Sequence, residues 1–224
     1  MKKLFNADIL DLFTTENGLV YACKDIVGQE QNEVVAFFEY DIAADKFKKI
    51  PVNTYIERKY GEDNYTVARA LGDFVTCRIL PWTSALCLAS YANGKIKVFD
   101  LNGNIEDTCD VSYNGSPACS PVLRDEGLWM AVPDENALIN FSVEHRRVEM
   151  RVGGKTENAF LSPCDVYEHD NLLYISNANS FSIKTFNPET FSVNSFCTFK
   201  EPVYKYFRMK KNEYVLLKSG VYEI

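Results

Sequence analysis

Histidine is nearly absent: His145 and His169 are the only two in 224 residues. Catalysis through a histidine base, or zinc held by several imidazoles, therefore has little to draw on. Seven cysteines, an odd number, contain no CxxC pair and fit reduced, buried thiols better than a disulfide framework. Basic residues are outnumbered, 24 Lys and Arg against 31 Asp and Glu, giving a formal charge of -7 and a pI near 5.0. No basic stripe is available to replace the counterions of a phosphate backbone, so nucleic acid is not expected as a partner. No apolar run reaches membrane-spanning length. The opening MKKLFNADILDLF is interrupted by Asn6, Asp8 and Asp11, which breaks any apolar signal segment. A cytosolic protein without membrane contact and without a cofactor is the expectation.

What is present is an ordinary globular composition, 46% hydrophobic and 25% charged, which argues against disorder. The stretch from Ser162 to Phe199 organises the chain. Four runs of β-type composition, CDVYE, LLYIS, SIKTF and FSVNSF, are separated by the turn clusters HDN, NANS and NPET. Such a pattern writes a four-stranded antiparallel meander.

The meander recurs. Apolar starts of the second strand fall at Leu19, Leu86, Leu128, Leu172 and Tyr214, and the last three intervals are 42, 44 and 42 residues. The third strand has its own marker, an aromatic followed by a polar residue: Tyr40-Asp41, Phe99-Asp100, Phe141-Ser142, Phe186-Asn187 and Tyr222-Glu223. Two independent markers keep one register. Five units of about 42 residues, each a four-stranded sheet, match the blade period of a β-propeller. They resemble blades of the large bacterial propeller repeats, without a Gly-His or Trp-Asp dipeptide, a kelch di-glycine or a calcium-loop signature. The expected fold is all-β: one five-bladed propeller domain with blades at about 7–52, 73–112, 118–153, 160–199 and 202–224 plus 2–6.

The fifth unit ends at Ile224, just after its third-strand marker, and so lacks an outer strand of its own. An uncovered sheet edge is an aggregation hazard. The segment KKLFN resembles the outer strand KFKKIPV of the first unit. Residues 2–6 are therefore predicted to pair beside residues 221–224 and close the ring.

Two irregularities locate candidate sites. The interval from Leu19 to Leu86 is 67 residues, and the markers place the excess near Asp25 to Glu33 and within Asn53 to Gly72. In an up-and-down blade both insertions emerge on the same rim, and long loops on a rigid scaffold carry function. The second insertion supplies Tyr55, Arg58, Tyr60, Tyr65 and Arg69, the composition of interface anchors. It reads either as a binding surface or as a solvated loop with a helical turn that caps the ring. The charged cluster ERKYGED reads as solvated surface.

Cys77, Cys119 and Cys164 occupy one register on three inner strands. Small buried hydrophobes crowded near the axis are the plain reading; a soft-metal or reactive centre is the alternative. The next residues are polar, Arg78, Ser120 and Asp165, with Asp11 at the matching place in the first unit. Facing the channel mouth they form a mixed-charge ring for a small polar ligand; otherwise they are inter-blade salt bridges. The two histidines read as exposed turn residues, and Trp82 and Trp129 as packing.

The residues thus point to a non-catalytic propeller that recognises a protein, a peptide or a small polar ligand on the loop-decorated face. The alternative is an enzyme resembling the five-bladed glycoside hydrolases, with Asp11 and Asp165 as carboxylates. Arg78 and Ser120 occupy the intervening blades.

Overall fold

The second strand of each blade is largely apolar on both faces, because a neighbouring sheet covers each face, so it reads as a run rather than an alternation. The computed structural model describes residues 1–16, 18–27, 32–84 and 86–224, with the backbone alone at 26, 27, 32 and 33. Blade one comprises Ile9–Thr14, Gly18–Val27, Asn32–Asp41 and Lys46–Lys49. Blade two comprises Arg78–Pro81, Leu86–Ser90, Lys95–Asp100 and Ile105–Asp110. Blade three is Cys119–Arg124, Gly127–Val132, Ala137–Ser142 and Arg147–Gly153, and blade four is Pro163–His169, Leu172–Asn177, Ser182–Asn187 and Ser192–Thr198. In each, the four strands pair antiparallel in chain order, from inner to outer.

Turn chemistry fixes the register. In blade four His169 pairs with Leu172 across Asp170 and Asn171, which take φ of 48° and 61°. Two residues at positive φ are what a type I′ hairpin needs, and Asp and Asn tolerate it.

Blade five carries Val203–Met209, Asn212–Leu217 and Gly220–Glu223, and its outer strand is Lys2–Phe5. Lys2 pairs with Glu223, Lys3 with Tyr222 and Phe5 with Val221, as the sequence predicts. The closure is tight. A Cβ on Gly220, which sits at φ 134°, would lie 2.2 Å from the Phe5 carbonyl oxygen. The chain is a five-bladed β-propeller.

The core is divided among the gaps between sheets. Leu88, Ile96 and Val98 meet Leu128, Met130 and Ile139 between blades two and three, with Trp82 at the margin. Trp129, Ala131 and Leu138 meet Val166, Leu173 and Ile175 between three and four. Tyr174 and Ile183 meet Tyr206 and Val215 between four and five. Phe207, Tyr214 and Val221 meet Leu12, Leu19 and Tyr21 between five and one.

The gap between blades one and two differs, and here the sequence expectation is corrected. Asn53 to Gly72 is not a free-standing loop. It forms helix α1, Val52–Tyr60, and helix α2, Tyr65–Ala70, which join the core between the two sheets. Tyr55, Ile56, Tyr60, Val67, Ala68 and Leu71 pack with Val20 and Ala22 of blade one and with Cys87, Ala89 and Phe99 of blade two. The physical reason is that these apolar residues recur at helical spacing, so a helix can bury them together. Tyr55 lies 4.5 Å from Phe37 and 5.6 Å from Phe13, ring to ring.

The other excess lengthens a hairpin. The second and third strands of blade one pair from Gly18 opposite Asp41 to Val27 opposite Asn32. The outer strand stops at Lys49. A two-stranded ribbon therefore continues past the sheet, with Val34 and Val35 exposed; residues 28–31 of the predicted insertion lie outside the described residues. A small extra hairpin, Ser112–Tyr113 with Ser116–Pro117, turns on Asn114-Gly115 between blades two and three. No helix among the described residues is long and apolar enough to cross a membrane.

Candidate functional site

The inner strands surround a central channel, and four of them share a local distortion. The pairing register slips between Ile9 and Asp11, between Cys119 and Val122, between Pro163 and Asp165, and between Val203 and Lys205. A β-bulge adds a residue to one strand and re-aims the side chains beside it. Asp11, Asp165 and Lys205 each follow such a bulge. Ser120 lies within one, at φ 52°.

Two polar clusters result. In the first, Asp11 accepts a hydrogen bond of 2.7 Å from the Tyr55 hydroxyl and pairs with the Lys59 ammonium at 2.9 Å; Lys205 stands 3.7 Å away. Burial alone would raise the Asp11 pKa, but Lys205 and Lys59, with the hydrogen bonds from Lys59 and Tyr55, outweigh it and hold the carboxyl at about 2. Lys59 also donates to the carbonyls of Phe74 and Val75, so its three N–H groups meet three acceptors. Its ring neighbour Tyr60 lies 5.0 Å away. Burial draws the Lys59 pKa below the ordinary lysine value against the pull of Asp11.

In the second cluster Arg78 pairs with Asp165 and reaches the carbonyls of Pro121 and Val166 at 3.4 Å. Ser120 donates to Asp165 at 3.0 Å, and its hydroxyl lies 3.2 Å from the Cys164 carbonyl. These bonds offset the strain of a non-glycine residue at positive φ. The clusters take one polar residue from each blade and two, Tyr55 and Lys59, from α1.

A cavity of about 480 Å³ runs along the channel. Asp11, Lys59, Arg78 and Lys205 line it beside Phe13, Leu80, Val122, Leu123, Val166 and Tyr167, with Glu168 further along the inner strand of blade four. Ligand pockets in proteins span roughly 300–1,000 Å³ and combine apolar walls with a few fixed polar groups.

Each predicted site residue can be located. Asp11 and Arg78 line the cavity, and Asp165, only 6% exposed, sits under Arg78. Tyr55 and Tyr60 are buried, and the Tyr60 hydroxyl lies 2.7 Å from the carbonyls of both Phe74 and Cys77, so neither presents its ring to solvent. Tyr65 is half-buried against the same core. Arg58 and Arg69 remain exposed, Arg58 3.9 Å from Glu39 and Arg69 3.1 Å from Asn53.

Sequence reasoning missed two residues. Lys59 belongs to ERKYGED, expected on the surface, yet its side chain is 10% exposed. Lys205 went unnoticed because blade five carries no cysteine to mark the position. Its pairing with Leu216 matches that of Asp165 with Ser176, a register visible only in the sheet.

Of the inner-strand thiols, Cys77 is buried and Cys119 and Cys164 are half-buried. Burial pushes Cys77 up to about 12 and Cys119 up to about 11, and Cys164 also rises. Among the described residues no three potential metal ligands converge. His145 is exposed, as expected. His169 instead ends an inner strand, half-buried and 6.3 Å from the Tyr167 ring.

No protein-family model matches the chain, and no curated protein matches it. Among solved structures it is similar to Sqt1 of Saccharomyces cerevisiae, with a TM-score of 0.54 and 11% identity, over 96% of this chain and 71% of that one. It is also similar to the WD40 repeats of RRP9, with a TM-score of 0.50 and 8% identity, over 94% of this chain and 58% of that one. At these identities the likeness shows the propeller fold alone.

Proposed function

We propose that this chain is a non-catalytic binding propeller that holds a small polar ligand in its central channel. The supporting observation is the cavity of about 480 Å³, where apolar walls meet charged groups fixed by ion pairs and bulges. Groups fixed before the ligand arrives lose little freedom on binding. Hydrolysis of a glycosidic bond fits less well. It requires a carboxylic acid that stays protonated until it donates, whereas Asp11 is held at about 2 and Asp165 is paired with Arg78.

A methyl-labelled NMR screen of a small-molecule library tests the proposal. Hits should move the methyl signals of Leu80, Val122 and Leu123, and Leu80→Trp should abolish the shifts at Val122 and Leu123. Hits that move only methyls outside the channel would remove the proposal.

A second reading keeps the blade-one face as a surface for a protein partner. It is favoured by the ribbon that runs past the sheet with Val34 and Val35 exposed at 41% and 46%. Its test is a cell-lysate pull-down with wild type and Val34→Glu/Val35→Glu; equal recovery of every captured protein would reject it.

A further inference from the structure

The channel's polar end carries more positive than negative charge. Lys59, Arg78 and Lys205 contribute three cations and Asp11 and Asp165 two carboxylates, a surplus of one positive charge in a chain whose formal charge is -7. Glu168, further along the cavity, pairs with Arg124 at 3.3 Å, an arginine that Asp125 and Glu189 share at 3.2 and 3.6 Å. The surplus belongs to the end formed by Arg78 and Lys205 alone.

Spare donors stand with that charge. Arg78 has five N–H groups and engages three acceptors, the Pro121 and Val166 carbonyls and Asp165, which leaves two. Lys205 bonds the Leu12 carbonyl, and Asp11 at 3.7 Å is beyond hydrogen-bond reach, which leaves two more. Both side chains line the cavity and are partly open, 28% exposed for Arg78 and 21% for Lys205. Lys59, by contrast, has its three donors filled. Phe13, Leu80, Leu123 and Val166 give the same space apolar walls.

Building on the channel-binding proposal, we infer that the ligand is a small organic anion. Its carboxylate or phosphate head takes the open donors of Arg78 and Lys205, and an apolar body lies along the inner strands. A partly buried cation whose remaining donors open into the cavity favours an anion over a neutral or cationic head of the same shape. Asp11 and Asp165 act as positioning residues.

Four probes with one apolar body separate the outcomes: phenylacetate, phenyl phosphate, 2-phenylacetamide and 2-phenylethylammonium, titrated while the channel methyls are followed. An anionic probe should bind at least ~10-fold more tightly than the amide, the size expected for one charge-assisted hydrogen bond. The ratio of phenylacetate to phenyl phosphate then tells carboxylate from phosphate. Lys205→Met should erase most of the preference and Lys205→Arg restore it, with methyl signals outside the channel unchanged in both. If the amide or the ammonium binds as well as the anions, or if Lys205→Met keeps the preference, the anion inference is overturned while channel binding stands. If no probe moves a channel methyl, both are overturned.

Discussion

Asp11, on the inner strand of blade one, and Lys59, in the last turn of α1, form an ion pair of 2.9 Å at the wall of the central channel. Their side chains are 14% and 10% exposed, so the pair is shielded from solvent. It links the helical insertion to the ring at the point where blades one and two would otherwise meet. The same contact gives the channel one of its polar walls. A single pair thus joins the packing of the fold to the candidate site.

Removing one partner should therefore cost more than removing both. Lys59→Met leaves the Asp11 charge buried with the Tyr55 hydroxyl and the more distant Lys205, a loss of about 3–5 kcal/mol by the behaviour of buried pairs. The double variant Asp11→Asn/Lys59→Met should recover part of that loss, with a coupling of about 1–3 kcal/mol. Urea unfolding of the four proteins measures it; strictly additive losses would show that the pair does not hold the helices.

Acid should act through the same carboxyl. Asp11 is held at about 2 in the folded chain against an ordinary value of 3.8, so as pH falls the unfolded chain takes up the proton first. The stabilisation is complete above about pH 5 and is lost as pH falls from about 4 through 2. It amounts to about 2 kcal/mol. Unfolding free energies at pH 5.5 and pH 2.5 should differ by about 1.5 kcal/mol more in wild type than in Asp11→Asn, since the last part of the loss falls below pH 2.5. Equal differences in the two proteins would refute the assignment.

The ring was legible because its signals are local and repeated. Each second strand is an apolar run closed by a turn, and each third strand carries an aromatic that packs in a gap between sheets, as Phe99 and Phe186 do. Closure by residues 2–6 followed from a missing strand. The helical wedge was harder, since Tyr55 and Tyr60 share their segment with Arg58, Glu57 and Lys59, and composition alone does not separate a binding face from a buried one. Asp11, Arg78 and Asp165 could be placed together because cysteines marked the register in three blades. Lys59 comes from outside the repeat, so no periodicity could find it.

Ring closure should depend on Phe5. Its ring lies 4.8 Å from Tyr21, 5.1 Å from Tyr40 and 5.4 Å from Phe47, bridging blade five to blade one. Phe5→Ala should cost about 3–5 kcal/mol in urea unfolding, the usual loss for truncating a buried aromatic. Gly220→Ala, which drives a methyl against the Phe5 carbonyl, should loosen the same seam. In both variants, amide exchange should speed up first at residues 2–5 and 220–223. Acceleration spread evenly over all five blades would instead mean that the ring opens as one unit.

The inner-strand thiols should resist alkylation in the folded chain. Cys77 is fully buried with its pKa pushed up to about 12, and Cys119 is raised to about 11, so at pH 8 little of either is thiolate, the form that attacks. Iodoacetamide at pH 8, read by mass spectrometry, should modify Cys77 more than ~100-fold more slowly in native protein than in urea. Cys119 and Cys164, which touch the Cys164 and Val203 carbonyls through their sulfurs, should follow the same order. If any of the three labelled fastest in the native chain, packing would not account for it, and a reactive centre near the axis would have to be reconsidered.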